Sequence, residues 1–169
     1  MLKKKAVFFL ISMVSAVLMA ATYPVDVLGI TEGDSVYYRR PVPVGFRFVS
    51  RYIHSVEKTP VEDDYRVVGG SIWSWEERVL SQNAGMPFVR PRNGRLIMDE
   101  DWMRFRGGRY SWEDLYVRIG DNRFGENEMF GHSPWTGYFR LFELLPSRRL
   151  LFSVRKDSLF LALLKGVEL

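Results

Sequence analysis

Residues 59–80 read TPVEDDYRVV, GG and SIWSWEERVL, which are two β-rich runs joined by Gly69 and Gly70. Val, Ile, Tyr and Trp recur in these runs, and such residues favour β-strands. Two consecutive glycines adopt, without strain, the positive φ angles that a two-residue hairpin turn needs. The stretch therefore predicts an antiparallel hairpin in which Arg66 lies opposite Trp73, and this hairpin decides the fold class.

Short apolar runs separated by turn residues continue on both sides of the hairpin. The further predicted strands are 23–30, 35–39, 45–53, 94–98, 102–105, 115–119 and 150–154. Strands at this spacing, with no long amphipathic helix in residues 23–169, predict an all-β domain, either an antiparallel sandwich or an open barrel. Gly, Asn, Ser and Pro are dense in residues 120–137, which we expect to form a long loop. The apolar run 158–164 fits a helix or a strand.

The N-terminus has the layout of a secretory leader, so we expect a hydrophobic helix over residues 1–22. A lysine cluster at residues 3–5 is followed by 17 residues without a charge. A cleaved signal peptide and an uncleaved membrane anchor both stay open, because the run is short for a span and large residues stand where a cleavage site needs small ones. In both cases residues 23–169 form one domain outside the cytoplasm, in the periplasm or on the outer face of the cytoplasmic membrane.

Composition excludes several classes of function. Of 24 Lys and Arg, three lie in the leader, which leaves 21 against 20 Asp and Glu in the rest of the chain. A domain with so little net charge does not attract nucleic acid. The chain has no Cys, so a thiol nucleophile, a thiolate metal site and a disulfide framework are excluded. It also lacks the glycine-rich motifs of phosphate loops and dinucleotide sites, and we therefore expect no cofactor.

The densest polar segment reads HSVEKTPVEDDYR and spans residues 54–66. Imidazole and carboxylate groups bind metals and transfer protons, so His54, Glu57 and Glu62 are the candidates for a metal-assisted hydrolase. No second His stands three or four residues away, as the zinc protease motifs require. The alternative is a solvated corner between two strands, in which the hydroxyl side chains bond to the backbone.

A second constellation combines aromatic and charged residues on the predicted hairpin. Trp73 and Trp75 are two residues apart, so they share one face of a strand, and Arg66 joins them there. Together they would form a stacking platform for an envelope glycan or another organic ligand. The alternative is a sheet face buried in the core, which aromatic residues often form. His132, the only other His, falls in the predicted loop, and we expect no metal shared between it and the 54–66 segment.

The polar segment also carries a resemblance to a known family. HSVEKTPVEDDYR at 54–66, GG at 69–70 and AGMP at 84–87 resemble the bacterial Domain of Unknown Function 1850 family. The resemblance covers roughly residues 25–120, and Asn83 departs from it where Gly is expected. It implies an extracytoplasmic protein found beside tripartite ATP-independent periplasmic (TRAP) transporters, which import organic acids and similar solutes. The family has no established activity, so the resemblance implies a context and no chemistry.

The sequence favours a non-enzymatic extracytoplasmic accessory or binding module over the hydrolase and the glycan-binding domain, because it contains no catalytic motif. The expected partners are a TRAP transporter membrane subunit or its solute-binding protein, with the membrane as a further contact if the leader is uncleaved. The binding residues that we expect are His54, Ser55, Glu57, Thr59, Glu62, Gly85 and Pro87.

Overall fold

The computed structural model describes residues 2–81, 89–108, 110–131 and 137–167. In these ranges the helices are α1 (Leu2–Thr22), α2 (Leu141–Leu144) and α3 (Leu159–Leu164). The strands are β1 (Pro24–Glu32), β2 (Ser35–Val42), β3 (Phe46–Ile53), β4 (Pro60–Val68), β5 (Ser71–Val79), β6 (Arg95–Met98), β7 (Met103–Arg106), β8 (Ser111–Trp112), β9 (Asp114–Arg118), β10 (Gly125–Gly131), β11 (Tyr138–Arg140) and β12 (Arg149–Ser158).

The strands form two antiparallel sheets, which confirms the predicted all-β architecture. The small sheet has the order β2-β1-β12-β9, and the large sheet has the order β11-β10-β3-β4-β5-β7-β6, with β8 added beside β5. Buried side chains of both sheets meet in one core, which includes Leu28 and Phe152 from the small sheet and Phe48 and Ile72 from the large one. The rings of Phe48 and Phe152 stack at 6.1 Å between centroids, so the two sheets are in direct contact.

The predicted hairpin is confirmed at the centre of the large sheet. β4 pairs with β5, and Arg66 lies opposite Trp73 as the two-glycine turn requires. Gly69 and Gly70 have φ angles of +61° and +81°, a conformation that residues with a Cβ rarely adopt.

The predicted long loop at 120–137 is wrong in its central part, because β10 occupies Gly125–Gly131 and pairs with β3. The composition of this segment does not indicate a strand, because it contains glycine and polar residues. Asn127 is buried at 6 % exposure, and its side-chain oxygen accepts a hydrogen bond from the Gly120 backbone N–H at 2.7 Å. A polar residue thus occupies a position where the alternation rule expects an apolar one.

The apolar run at 158–164 is a helix and not a strand. β12 continues to Ser158, whose side chain accepts a hydrogen bond from the Leu161 backbone N–H at 3.3 Å and caps the start of α3. A serine in this position satisfies one of the free N–H groups of a helix start.

The leader is helical, as predicted, and α1 ends at Thr22, immediately before β1 begins. Its apolar side chains are exposed along the helix, for example Phe8 at 73 % and Met19 at 72 %. None of the helices in the described ranges has the length and apolarity needed to span a membrane.

Candidate functional site

One face of the large sheet packs on the small sheet, and the other, which we call the outer face, carries charged side chains. Side chains alternate between the faces along a strand, so Phe48 and Tyr65 point to the core while their neighbours point outward. The outer-face residues that form ion pairs on β3, β4, β5 and β7 are Arg47, Arg51, Glu62, Asp64, Arg66, Glu76, Arg78, Arg104 and Arg106.

Glu76 lies at the centre of this network. Its side chain is 2 % exposed and accepts hydrogen bonds from Arg78 Nε at 2.9 Å, Arg104 Nε at 2.9 Å and Arg106 Nε at 2.6 Å. Burial would raise the pKa of this carboxyl, but the hydrogen bonds from the three arginines outweigh it and lower the pKa to about 2. The carboxylate therefore stays charged and holds three guanidinium groups in place.

Two further carboxylates hold arginines in the same way. Asp64, which is 2 % exposed, accepts a hydrogen bond from Arg47 Nε at 2.9 Å, and Glu62 accepts one from Arg78 Nη1 at 2.5 Å. In the part of the chain that the structure describes, six arginines thus surround three buried carboxylates, and one of them also contacts the exposed Asp99. The outer face therefore carries a surplus of fixed positive charge, which attracts anions.

An open groove of about 710 Å³, which we call the tryptophan groove, lies on the outer face beside the hairpin turn. It is lined by Arg66, Val68, Trp73, Ser74, Trp75, Asn93, Gly94, Arg95, Arg106 and Gly107. Two indole rings supply flat apolar surface, and three arginines supply positive charge and N–H donors. The groove thus combines the two kinds of contact that an organic anion requires.

A β-bulge shapes the groove around Trp75. The pairing of β4 with β5 shifts between Asp64 and Tyr65, and Trp75 is the extra residue on β5. A bulge redirects the side chains around it. Trp75 is 49 % exposed, and Trp73 is partly buried, with its indole Nε1 donating to the Val68 carbonyl at 3.2 Å. The alternative of a buried core face is therefore wrong for Trp75.

Arg66 connects the groove with the charged network. Its guanidinium carbon lies 5.3 Å from the centroid of the Trp75 ring, which is a cation–π contact. Its Nε is buried and has no hydrogen-bond partner among the described residues, where the carboxylate oxygen paired with it, Oδ1 of Asp64, is 3.8 Å away. An N–H group in this state is costly to bury, so the site gains free energy when an acceptor reaches it.

Two glycines allow the backbone to form one wall of the groove. A Cβ on Gly94 would lie 2.5 Å from the Arg106 carbonyl oxygen, and a Cβ on Gly107 would lie 2.9 Å from the Gly94 Cα. Gly107 also has a φ of +97°. The segment before β6 and the end of β7 approach each other this closely only because neither residue has a side chain.

The predicted polar corner forms a tight turn that is closed by its own hydrogen bonds. His54 Nδ1 accepts the Glu57 backbone N–H at 3.2 Å, and the His54 N–H donates to the Thr59 carbonyl at 2.9 Å. The Ser81 hydroxyl donates to the Glu57 carboxylate at 2.9 Å. Ser55 is exposed. The expected solvated corner had hydroxyl side chains bonding to the backbone, whereas here the His54 ring makes the side-chain bond to the backbone.

The corner residues do not assemble into a metal site. Glu62 is bonded to Arg78 on the outer face, whereas the His54 ring accepts a backbone N–H and the Glu57 carboxylate accepts the Ser81 hydroxyl. Among the described residues, no three His, Asp or Glu side chains form a group that could hold a metal ion. The other predicted binding residues, Gly85 and Pro87, and the second histidine, His132, lie outside the described residues.

The model of the family described as Domain of unknown function (DUF1850) matches residues 48–131. Residues 48–131 belong to this family. The matched region of the DUF1850 protein runs from β3 to the end of β10 and contains both the corner and the tryptophan groove. No curated protein and no solved structure matches the chain.

Sequence reasoning missed the arginine–carboxylate network of the DUF1850 domain, although its signal is present. Charged residues recur at every second position in β4 and β7, as in Arg104 and Arg106, and this places them on one face. The pairing partners were not predictable, because Glu76 and Arg104 are 28 residues apart and meet only through the register of β5 and β7.

The inner face of β4 and β5, which points to the core, carries a pair of acidic residues. Asp63 lies opposite Glu77. Burial, reinforced by the charge of Glu77, raises the pKa of Asp63 to about 7, although a hydrogen bond with Tyr65 acts in the opposite direction. Burial also raises the pKa of Glu77. Unlike Glu76, Asp63 therefore exchanges its proton near neutral pH.

Proposed function

We propose that this DUF1850 protein is a non-enzymatic, extracytoplasmic binding module that holds a small organic anion in the tryptophan groove and serves as an accessory of a TRAP-type solute transporter. One observation carries the proposal. The guanidinium group of Arg66 stacks on the exposed ring of Trp75, and its buried Nε has no hydrogen-bond partner in the part of the chain that the structure describes. A carboxylate or similar anion would supply the missing acceptor.

The groove suits a ligand with a charged group and a flat apolar part. Trp75 offers a ring face for the apolar part, and Arg66 offers N–H donors for the charged group. Arg106 adds a second guanidinium that Glu76 already holds in position. Donors fixed before binding lose little conformational entropy when the ligand arrives.

The charged groups beside the groove favour binding over acid–base chemistry. A carboxylate with a pKa of about 2, as in Glu76, is too weak a base to take a proton from a substrate near neutral pH. Glu62 and Asp64 are likewise engaged by arginines. These carboxylates act by holding the arginines and not by reacting.

The transporter context is supported by the family resemblance and by the leader. In this proposal α1 directs the domain to the outer side of the cytoplasmic membrane, as a signal peptide or as an anchor. The corner at His54 and Glu57 provides the contact with a transporter membrane subunit or its solute-binding protein, because binding residues concentrate on turns that a rigid scaffold supports.

An envelope glycan is a second candidate ligand, and the exposure of Trp75 favours it. Sugars stack on indole rings without needing a positive charge. The two ligands make different demands on the site, because only the anion depends on Arg66. One experiment therefore separates them.

The test is a tryptophan fluorescence titration of the full chain in detergent micelles. The ligands are carboxylates with ring-bearing or branched apolar parts, the uncharged amides of the same compounds, and neutral oligosaccharides. The matched variants are Arg66→Met and Trp75→Ala. Their controls are Arg149→Met and Tyr116→Ala, which disrupt an equivalent cation–π pair, 4.7 Å apart, on the small sheet.

We expect a carboxylate to bind, its amide to bind much more weakly, and Arg66→Met to reduce affinity by about tenfold or more, since a hydrogen bond to a charged group contributes about 1.5–3 kcal/mol. Trp75→Ala should also weaken binding, and the controls should not. Oligosaccharide binding that depends on Trp75 and not on Arg66 would favour the glycan. Absence of binding to every ligand, or equal loss in the controls, would refute the groove as the site.

A further inference from the structure

The C-terminal helix α3 exposes almost its whole apolar surface. It consists only of Leu, Phe and Ala residues, and Phe160, Leu163 and Leu164 are 58 %, 64 % and 69 % exposed. Ala162 is its buried residue. Contiguous apolar patches on a protein surface mark a site of contact with a membrane or another molecule.

This patch adjoins the C-terminal end of the hydrophobic leader helix α1. The Leu159 backbone N–H donates to the Tyr23 carbonyl at 2.9 Å, and Pro24 at the start of β1 lies opposite Ser158 at the end of β12. The helices α1 and α3 are in contact. Two apolar helices therefore leave the domain side by side at one end of the small sheet.

Both helices expose apolar side chains, which are stabilised by apolar surroundings. α1 carries exposed apolar side chains on all sides, such as Phe9 and Val17, and a helix of this kind belongs in a protein core or in lipid. Lys165 follows α3 directly and is exposed, whereas the charge of Lys156, which precedes α3, is paired with the buried Asp26 at 2.9 Å. Basic residues beside an apolar patch are typical of a surface that meets anionic lipid headgroups.

Resting on the proposed function with α1 retained as an anchor, we propose that α3 is a membrane-contact element that inserts Phe160, Leu163 and Leu164 into the interfacial layer of the same bilayer. A helix of six residues is about 9 Å long, so it lies in the interface and does not cross the membrane. Of the occupants that would cover the patch, lipid is favoured because α3 contacts α1, whose own apolar side chains are exposed on all sides and follow a lysine cluster.

A second contact beside α1 would fix the orientation of the whole domain. Phe46 at the start of β3 and Leu163 line the same cavity of about 560 Å³, so α3 lies at this end of the large sheet. The corner follows the other end of β3, which is roughly 23 Å away at about 3.3 Å per residue. With α3 on the membrane, the corner points away from it, which favours the solute-binding protein over the membrane subunit as the partner of the corner.

The test uses single cysteines, since the natural chain has none. Full-length Leu163→Cys and Leu164→Cys are labelled with the fluorophore NBD and reconstituted in vesicles of phosphatidylethanolamine and phosphatidylglycerol. Val56→Cys is the matched control, because Val56 is also apolar and is 68 % exposed, at the opposite end of β3. Quenching by iodide in the water and by doxyl groups on the lipid chains is then measured at each position.

We expect labels at positions 163 and 164 to be quenched by the lipid-borne doxyl groups and shielded several-fold from iodide, relative to the label at 56. Equal access of iodide to all three labels would overturn the proposal. Shielding from iodide without doxyl quenching would overturn it too, because a second copy of the chain or another protein would then cover α3. Circular dichroism of each labelled protein confirms that it is folded.

Discussion

Replacing Glu76 by Gln removes the charge that organises the outer face and should destabilise the fold. The hydrogen-bonding arginines lower the pKa of Glu76 from an ordinary value of 4.5 to about 2. One pKa unit corresponds to about 1.4 kcal/mol, so the charged form contributes about 3 kcal/mol to the free energy of unfolding at neutral pH. Gln can still accept a hydrogen bond, but three guanidinium groups lose their counter-charge.

Urea unfolding followed by circular dichroism measures this loss. With a slope of about 2 kcal/mol per M, the midpoint of Glu76→Gln should fall by about 1.5 M at pH 7.5. Because the pKa of Glu76 is lowered on folding, its charge stabilises the fold fully above pH 4.5, and this stabilisation is lost as the pH falls toward 2. The difference between wild type and variant should therefore shrink over that window.

Glu100→Gln is the matched control, because Glu100 is exposed on the turn between β6 and β7. We expect it to change the free energy of unfolding by less than about 0.5 kcal/mol. If Glu76→Gln also stays within this limit, or if the gap between wild type and variant persists at pH 2, the carboxylate does not hold the arginines and the account of the outer face is refuted.

For Asp63, burial and a neighbouring carboxylate raise the folded-state pKa to about 7, so wild type loses stability as the pH rises from about 4 to about 7. Asp63→Asn removes this loss, and its urea midpoint should equal that of wild type at pH 4 and exceed it at pH 8. Gly70→Val should lower stability by about 1–2 kcal/mol in thermal unfolding, since φ at this position is +81°, and an unchanged melting temperature would contradict the turn assignment. Glu57→Gln keeps an oxygen that can accept the Ser81 hydrogen bond, so we expect a stability change within about 0.5 kcal/mol together with weaker partner binding; marked unfolding with intact binding would make the corner purely structural. Fusion of residues 1–30 to a reporter that is active only outside the cytoplasm should give a signal, and a silent reporter beside a working control leader would reject export.

The fold was predictable where local chemistry decides it. Gly69 and Gly70 have one favoured use between two β-rich runs, and the antiparallel hairpin followed from them. β10 was not predictable, because its buried Asn127 is satisfied by a backbone N–H that only the folded chain brings near. Composition describes a strand poorly when tertiary hydrogen bonds replace apolar burial.

The site was less predictable than the fold. The two tryptophans and Arg66 were recognised as a group, because the hairpin register depends on the turn alone. The groove around them needs the segment at Asn93 and Gly94, which the pairing of β6 with β7 and of β7 with β5 brings across. It also needs the bulge at Trp75. Long-range pairing and bulges leave no clear mark in a single sequence.

The most direct test of the central claim is to observe the tryptophan indole N–H signals by NMR while a ring-bearing carboxylate is added to the full chain in micelles. If the tryptophan groove binds organic anions, the signals of Trp73 and Trp75 should shift in a saturable way, and those of Trp102 and Trp112, which do not line the groove, should stay in place. The uncharged amide of the same compound should leave the signals of Trp73 and Trp75 nearly unchanged. Fixed Trp73 and Trp75 signals at saturating carboxylate, or equal shifts with the amide, would contradict the account.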